Sequence, residues 1–258
     1  MSFLRRLGQA AAVTAIAGTV GGAAVLAGQA MLARSRRYAQ PDLRLAMRAS
    51  IGDTSAAPLR LVLLGDSTAL GVGVEQVTDT VGGQLAMLLA EEADGRRVEL
   101  SSVAVSGSRS ADLGTQVARA LVGTRPDVAV ILVGGNDAVH FTAPAEAADD
   151  LASAVRRLRA AGVAVVVGTC PDLGSARAFP PPLRQLVGWH GRRLARAQAA
   201  AVATVGGVPV DLAAQTGAVF RADAGTYCHD GYHPSADGYR VWAHALLPAV
   251  TEASGVPQ

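Results

Sequence analysis

Two residues near the C-terminus, Asp230 and His233, have the types and the spacing of an acid–base pair. They lie three positions apart in the stretch Cys-His-Asp-Gly-Tyr-His-Pro. On a tight loop this spacing lets the carboxylate face the imidazole Nδ1 and fix the tautomer in which Nε2 accepts a proton. Pro234 ends the loop directly before a predicted helix and helps to position His233. We predict that His233 is a general base and that Asp230 orients it.

Ser67 is the candidate nucleophile. It follows the apolar run Leu59–Leu64 in the stretch Gly-Asp-Ser-Thr-Ala-Leu-Gly, which places it on the turn between a predicted strand and a helix. A serine at such a turn exposes its Oγ above the sheet edge, and the first N–H groups of a helix lack intrahelical acceptors. The alternative is that Ser67 only caps the N-terminus of the helix, a position at which serine is a favoured residue. This short pattern alone does not separate a catalytic serine from a capping one.

Two other loops carry groups that could hold a developing negative charge. Gly107 lies in a small loop after the second predicted strand, where glycine lets the backbone approach a ligand closely. Asn136 follows two glycines after the third predicted strand, and a neutral amide is a standard oxyanion donor. Both loops are also ordinary turn sequences. We predict an oxyanion hole made of the N–H groups of Ser67 and Gly107 and the side-chain amide of Asn136.

Short apolar runs alternate with longer Ala-, Leu- and Arg-rich stretches from residue 59 onward. The short runs have the length and composition of strands, and the longer stretches are long enough for helices. The predicted strands are Leu59–Leu64, Val98–Val105, Val128–Val133, Val163–Gly168 and Val208–Leu212, and the predicted helices cover residues 81–93, 110–121, 144–161, 183–204 and 235–250. Strand and helix therefore alternate along the chain.

Near-continuous apolar strands alternating with helices predict a five-stranded parallel sheet covered on both faces, that is, a three-layer α/β/α sandwich. In such a sheet, every loop that leaves the carboxyl end of a strand opens onto one edge, where ligands bind. Ser67, Gly107 and Asn136 all follow predicted strands. We therefore expect them to lie near one another.

Composition and loop sequences argue against several other classes of protein. The net charge is +2, aromatic residues make up 4% of the chain, and every basic residue is Arg, which gives no case for nucleic-acid binding and excludes a catalytic Lys. The glycine-rich stretch after Ser67 has Gln76 where a dinucleotide-binding fingerprint needs its third glycine. Cys170 and Cys228 lack the Cys and His neighbours of a zinc site. We expect no metal and no cofactor, and leave open whether the two cysteines form a disulfide.

The N-terminal segment differs from the rest of the chain. Residues Leu7 to Ala33 carry no charge, and a helix of that length could cross a bilayer. Arginines on both sides of the run leave its orientation open. A cleaved signal peptide, an uncleaved anchor and an Ala/Gly-rich helix packed on the protein all fit this pattern. We expect residues 1–37 to be a membrane anchor or export signal, residues 38–57 a linker, and residues 58–258 one catalytic domain.

Taken together, the motifs resemble the four blocks of the SGNH hydrolase superfamily, also called GDSL esterases. The blocks appear in the family's order, at Gly65-Asp66-Ser67, at Gly107, at Gly134-Gly135-Asn136-Asp137, and at Asp230-Gly231-Tyr232-His233-Pro234. Thr68 stands where the family name implies Leu, at a position that does not touch the reacting carbonyl. The resemblance covers about residues 59–245.

This resemblance implies a flavodoxin-like sandwich and an esterase or lipase that hydrolyses acyl esters through the triad Ser67, His233 and Asp230. It implies no metal and no cofactor, and it does not imply a substrate, although we expect acyl chains of short or medium length. An O-acyltransferase or a carbohydrate O-deacetylase acting on a cell-envelope glycan would use the same triad. A third reading is a catalytically idle α/β binding module, which would have no physical need to keep these groups together. The oligomeric state stays open.

Overall fold

A central sheet organises the structure, a computed structural model that describes residues 22–33, 38–40, 48–53, 55, 57–92 and 96–255. Within these residues the sheet has six strands in the order β1-β3-β2-β4-β5-β6. The strands are β1 (Arg48–Ile51), β2 (Leu59–Gly65), β3 (Val98–Ser102), β4 (Val128–Leu132), β5 (Ala164–Gly168) and β6 (Val208–Val210). Strands β2 to β6 are parallel, and β1 pairs with β3 in the antiparallel sense.

The predicted three-layer α/β/α sandwich is confirmed, but the prediction of a five-stranded, wholly parallel sheet is wrong by one strand. Strand β1 lies in the stretch that we expected to be a linker, and its register runs from Arg48 opposite Ser101 to Ile51 opposite Val98. Its sequence, Arg-Ala-Ser-Ile, alternates exposed and half-buried residues and has no apolar run. A strand this short gives little local signal because its pairing partner on β3 determines that it forms.

Nine helices accompany the sheet in the described part of the chain. They are α1 (residues 22–33), α2 (Ser67–Leu70), α3 (Val81–Glu92), α4 (Leu113–Ala120), α5 (Gly135–Val139), α6 (Pro144–Ala160), α7 (Leu183–Thr204), α8 (Leu212–Ala222) and α9 (Ala236–Ser254). The five long predicted helices correspond to α3, α4, α6, α7 and α9. The sequence analysis expected a helix after Ser67 but gave no bounds for α2, and it did not predict α5 and α8. Two of these, α2 and α5, are single turns, too short to show an apolar period.

Side chains of β2 alternate between two cores, one on each face of the sheet. Leu61 and Leu63 belong to the core that includes α3 and α9, and Val62 and Leu64 belong to the core that includes α4 and α6. A third buried cluster joins α1 to the loop before α7 and to α7 itself. Because both faces of the sheet are covered, its carboxyl-terminal edge is where the strand loops meet.

The N-terminal prediction falls mostly outside the described residues, which begin at residue 22. None of the helices described is both long enough and apolar enough to cross a membrane. The described part of the segment, α1, packs on the rest of the protein through Leu26 and Ala33.

Candidate active site

Ser67 is the first residue of α2, directly after the central strand β2. Gly65 makes the sharp turn possible: its φ is +131°, and a Cβ there would lie 1.8 Å from the carbonyl oxygen of Leu132. Asp66 is the N-cap, and its carboxylate accepts hydrogen bonds from the Thr68 N–H at 2.9 Å and the Thr68 hydroxyl at 2.8 Å. Ser67 is therefore not the capping residue, and its own N–H, at the first helical position, has no intrahelical acceptor.

The loop between α8 and α9 brings Asp230 and His233 to Ser67. The His233 Nε2 lies 3.0 Å from the Ser67 Oγ, and the His233 Nδ1 lies 2.6 Å from the Asp230 Oδ2. Both side chains are almost fully buried, with 6% of His233 and 1% of Asp230 exposed. The three residues form one continuous hydrogen-bonded chain, which is the arrangement that activates a serine hydroxyl.

Four hydrogen bonds hold the Asp230 carboxylate. Its Oδ1 accepts from the backbone N–H groups of Tyr232 at 2.8 Å and His233 at 2.9 Å, and its Oδ2 accepts from the His233 ring and from the backbone N–H of Ala39 at 2.9 Å. Burial by itself would raise the pKa of Asp230. The bonds from the His233 side chain and these N–H groups outweigh burial and hold the pKa below its ordinary value. Asp230 is therefore an ionised acceptor at neutral pH.

Gly107 and Asn136 come after the two strands that flank β2: Gly107 lies in the loop after β3, and Asn136 lies in α5, after β4. Their loops meet: the Asn136 Nδ2 donates to the Ser108 carbonyl at 3.0 Å. Gly107 has φ +82°, and apart from the glycine and its two chain neighbours no described atom lies within 4 Å of the point where its Cβ would be. The structure thus joins the Asn136 side chain to the residue after Gly107 and leaves open space beside the glycine.

Two buried residues that the sequence analysis did not single out tie these loops to the sheet. The Gln116 side chain accepts from the Gly65 N–H at 2.7 Å and donates to the Gly65 carbonyl at 2.9 Å and to the Ser108 hydroxyl at 3.1 Å. The Asp137 Oδ2 accepts from the Ser110 N–H at 3.0 Å and from the Ser110 hydroxyl at 3.1 Å. Asp137 could have been singled out from the sequence because it belongs to the Gly-Gly-Asn-Asp motif. Gln116 could not, because it lies in the middle of α4 and nothing in the neighbouring sequence marks it as functional.

Two buried carboxyl groups beside the site, Asp66 and Asp137, differ electrostatically from Asp230. Burial raises the pKa of Asp66, and the opposing hydrogen bonds from Thr68 are too weak to reverse it. Burial likewise raises the pKa of Asp137 against the bonds from Ser110. These two carboxyls are less ready than Asp230 to carry a charge, and we assign the orienting role to Asp230 alone.

A small cavity of about 40 Å³ adjoins Ser67. By the same measure, one water molecule needs about 10–15 Å³, so the cavity has the volume of a few water molecules. It extends from Ser67 into the core beneath the sheet edge. Its lining is mainly apolar and includes Leu132, Leu173, Leu212, Phe220 and Trp242.

Both cysteines are thiols with raised pKa values. Cys170 is buried and Cys228 is half-buried, and both are free thiols, so the disulfide that the sequence left open does not form in this structure. Burial raises the pKa of Cys170 well above its ordinary value and that of Cys228 to about 11. In the described residues, no group of three or more His, Cys, Asp or Glu side chains is arranged to hold a metal ion.

Fold and site together define a class of protein: a doubly wound α/β protein with a Ser-His-Asp chain at the carboxyl edge of its sheet. Solved structures share this fold. A crystal structure of TesA superposes with a TM-score of 0.62 at 23% identity, over 75% of this chain and 99% of that chain. The lipase/acylhydrolase from Enterococcus faecalis superposes with a TM-score of 0.59 at 19% identity, over 77% of this chain and 98% of that chain.

Sequence comparison identifies the family. Residues 63–241 match the GDSL-like Lipase/Acylhydrolase family, and the chain belongs to it. GDSL-like esterase Rv1075c of Mycobacterium tuberculosis is 44% identical over 205 residues, which are 77% of this chain and 65% of that protein. Esterase TesA of Pseudomonas aeruginosa is 33% identical over 113 residues, 43% of this chain and 54% of that protein. The chain thus spans a little under two thirds, and about half, of the lengths of these two relatives.

Proposed function

We propose that this protein is a serine esterase that hydrolyses carboxylic esters through an acyl-enzyme. The observation that carries the proposal is the hydrogen-bonded chain from Ser67 through His233 to Asp230, with distances of 3.0 and 2.6 Å. Membership of the GDSL-like family and the similarity to two proteins named as esterases support it.

In the proposed reaction, the Ser67 Oγ attacks the ester carbonyl while the His233 Nε2 takes the hydroxyl proton. Asp230 stabilises the imidazolium that forms. The tetrahedral oxyanion is held by the N–H groups of Ser67 and Gly107 and by the side-chain amide of Asn136. His233 then gives its proton to the leaving alcohol, and the acyl group remains on Ser67. Water activated by His233 releases the acid and restores the serine.

The acyl group of the substrate is short in this proposal. The cavity beside Ser67 has a volume of about 40 Å³ and a mainly apolar lining, which suits an acyl chain of few carbons. Burial of additional methylene groups would contribute about 0.8 kcal/mol each only where space exists for them. We expect kcat/KM to be highest for acetyl to butyryl esters and to fall with longer chains.

The test is hydrolysis of p-nitrophenyl esters from acetate to palmitate by the full chain and by Ser67→Ala. Esterase activity that is lost in Ser67→Ala, together with loss of covalent labelling by a fluorophosphonate, is the expected result. The matched control is Ser106→Ala, which changes an exposed serine on the neighbouring loop. This variant should keep both the esterase activity and the covalent labelling. Labelling of Ser67→Ala at another residue would contradict the assignment of the nucleophile.

An O-acyltransferase or carbohydrate O-deacetylase would use the same residues, and the small cavity suits an acetyl group equally well. The two reactions are separated by offering acetylated oligosaccharides and measuring how the acyl group partitions between water and an added sugar acceptor. Release of free acetate alone identifies a hydrolase. Transfer to the sugar at the expense of acetate identifies a transferase.

We also propose that residues 1–37 carry the protein to or across the membrane and remain part of the protein, because α1 within this segment packs on the catalytic domain. The support is the uncharged run from Leu7 to Ala33 with basic residues on both sides. Expression of the full chain in a bacterial host followed by separation of cytosol, membrane and exported fractions tests this. Recovery of all of the protein in the cytosolic fraction would contradict the proposal.

A further inference from the structure

The N-terminal arm, defined here as residues 22–33 and 38–40, reaches the acid of the Ser-His-Asp chain. The backbone N–H of Ala39 donates to the Asp230 Oδ2 at 2.9 Å, across 191 positions of sequence. The other three hydrogen bonds to this carboxylate come from Tyr232 and His233, within its own loop. The Oδ2 that faces His233 is therefore shared between the histidine and the arm.

Tyr38 covers the same side of the loop. Its ring meets the Tyr232 ring edge to face with 5.5 Å between centroids, and lies 6.5 Å from the His233 ring at a steep angle. Aromatic pairs in this geometry are attractive beyond the area that they bury. The arm thus supplies one hydrogen bond to the acid and an apolar wall beside the base.

The arm is fastened to the protein at a second place. The Gln29 side chain donates to the Pro181 carbonyl at 2.7 Å and accepts from the Leu183 N–H, at the start of α7, at 3.2 Å. Leu26 and Ala33 pack into the buried cluster that contains Leu183 and also contacts Tyr232. Because α1 is fixed by these contacts, the docked position of α1 limits where the following residues Tyr38 and Ala39 can lie.

We propose that the N-terminal arm completes the catalytic centre, with the Ala39 N–H and the Tyr38 ring as positioning groups for Asp230 and His233. The proposal rests on the proposed esterase function of the same site. With two donors in fixed directions, the Oδ2 is held in line with the His233 Nδ1. Without the Ala39 N–H, the carboxylate has one partner fewer and water gains access to the Asp230–His233 hydrogen bond.

The experiment compares Ala39→Pro with Ala39→Gly in the full chain. Proline removes the N–H, and glycine keeps it, so the pair isolates the hydrogen bond. A hydrogen bond to a charged group contributes enough that we expect kcat of Ala39→Pro to fall about 10-fold, with KM within about twofold of Ala39→Gly. Tyr38→Ala and Gln29→Ala, which loosen the arm without touching the hydrogen bond itself, should lower kcat in the same direction by smaller factors.

A second readout does not depend on turnover. The proton on the His233 Nδ1 gives a downfield nuclear magnetic resonance signal while its hydrogen bond to Asp230 is shielded from water. We expect this signal in Ala39→Gly and its broadening or loss in Ala39→Pro, at a temperature where both variants are folded by circular dichroism. If the unaltered protein hydrolyses no ester, the proposed function fails, and the signal still tests the arm.

Three outcomes would overturn the inference. Equal kcat and an equal downfield signal in Ala39→Pro and Ala39→Gly would show that the arm has a structural role alone. A higher kcat in Ala39→Pro, Tyr38→Ala and Gln29→Ala would identify the arm as a cover that obstructs the site. A change confined to KM would mean that the arm contacts substrate and does not position the acid.

Discussion

The acid–base side and the proposed oxyanion side of the site are held in place by different means. On the acid–base side, Asp230 and His233 share one short loop, and most of the bonds to the carboxylate come from that loop. On the oxyanion side, the Gly107 and Asn136 loops follow different strands. Asp137 and the Asn136 amide join these loops to each other, and Gln116 ties Ser108 to Gly65; the contacts span 8 to 51 positions of sequence.

This difference has a chemical reason. A general base needs one imidazole in one orientation, which a carboxylate three residues away can supply. An oxyanion hole needs donors that converge on a point from several directions, and strands of a sheet supply those from separate loops. The acid–base side can thus be nearly local in sequence, whereas the oxyanion side depends on the packed sheet.

The largest expected effect is on the acid–base side. Asp230→Asn should lower kcat by about 10³- to 10⁴-fold, because the amide no longer holds the histidine in the reactive tautomer. Steady-state kinetics on a p-nitrophenyl ester measure it. Asp237→Asn, at an exposed aspartate that pairs with Arg240, is the matched control and should stay within about twofold of the unaltered protein. A loss below tenfold in Asp230→Asn would indicate that another group orients His233.

Asn136→Ala tests the oxyanion side and should lower kcat by about 10²- to 10³-fold, as the loss of one oxyanion donor does. Ser67 should still react with a fluorophosphonate, although slowly, because nucleophile and base remain. Labelling as fast as in the unaltered protein, with unchanged kcat, would remove Asn136 from the oxyanion hole.

Gln116→Leu tests whether the oxyanion side depends on its buried bridge. The change leaves the Gly65 N–H and carbonyl and the Ser108 hydroxyl without these partners, so we expect the free energy of unfolding to fall by about 3 kcal/mol and kcat by about 10-fold. Denaturant unfolding measures the change in the free energy of unfolding, and steady-state kinetics measure the change in kcat. Gln215→Leu, at an exposed position of α8, serves as the control. An unchanged kcat would mean that the bridge supports stability and not geometry.

The smallest expected effect is the pH dependence of the stability that the Asp230 carboxylate gives to the fold. Because folding lowers the pKa of Asp230 from its ordinary 3.8, its ionised form stabilises the folded state above about pH 4, and this contribution is lost as pH falls toward the folded-state pKa. At pH 7 the Tm of Asp230→Asn should lie about 3–6 °C below that of the unaltered protein. The gap should narrow below about pH 4.

Thermal melts of both proteins from pH 7 to pH 3 measure that gap. Burial raises the pKa values of Asp66 and Asp137, so these two carboxyls change the stability with pH in the opposite direction to Asp230. Both are present in the unaltered protein and in Asp230→Asn, so their effects cancel in the Tm difference. A gap that stays constant across this range would mean that the Asp230 carboxylate does not stabilise the fold.

The fold could be predicted where the signal was local. Strands β2, β4 and β5 are largely apolar runs buried on both faces, interrupted in β2 by Arg60, and helices such as α6 are long enough to show an apolar period. Strand β1 could not be predicted, since its four residues alternate weakly and depend on pairing with β3. The bounds of the short helix after Ser67 could not be predicted either, because four residues are too few for a period.

By itself, the sequence determined which residues have the types for this chemistry and that Ser67, Gly107 and Asn136 follow strands of one parallel sheet, because residue type, spacing and apolar period are local properties. Tertiary structure alone decided that Ser67 meets His233 and that Gln116 bridges Gly65 to Ser108. It also brought the Ala39 N–H to Asp230. These contacts join residues from 8 to 191 positions apart. No periodicity encodes such pairs, since each forms only when the packed sheet brings its strand ends and the N-terminal arm to one edge.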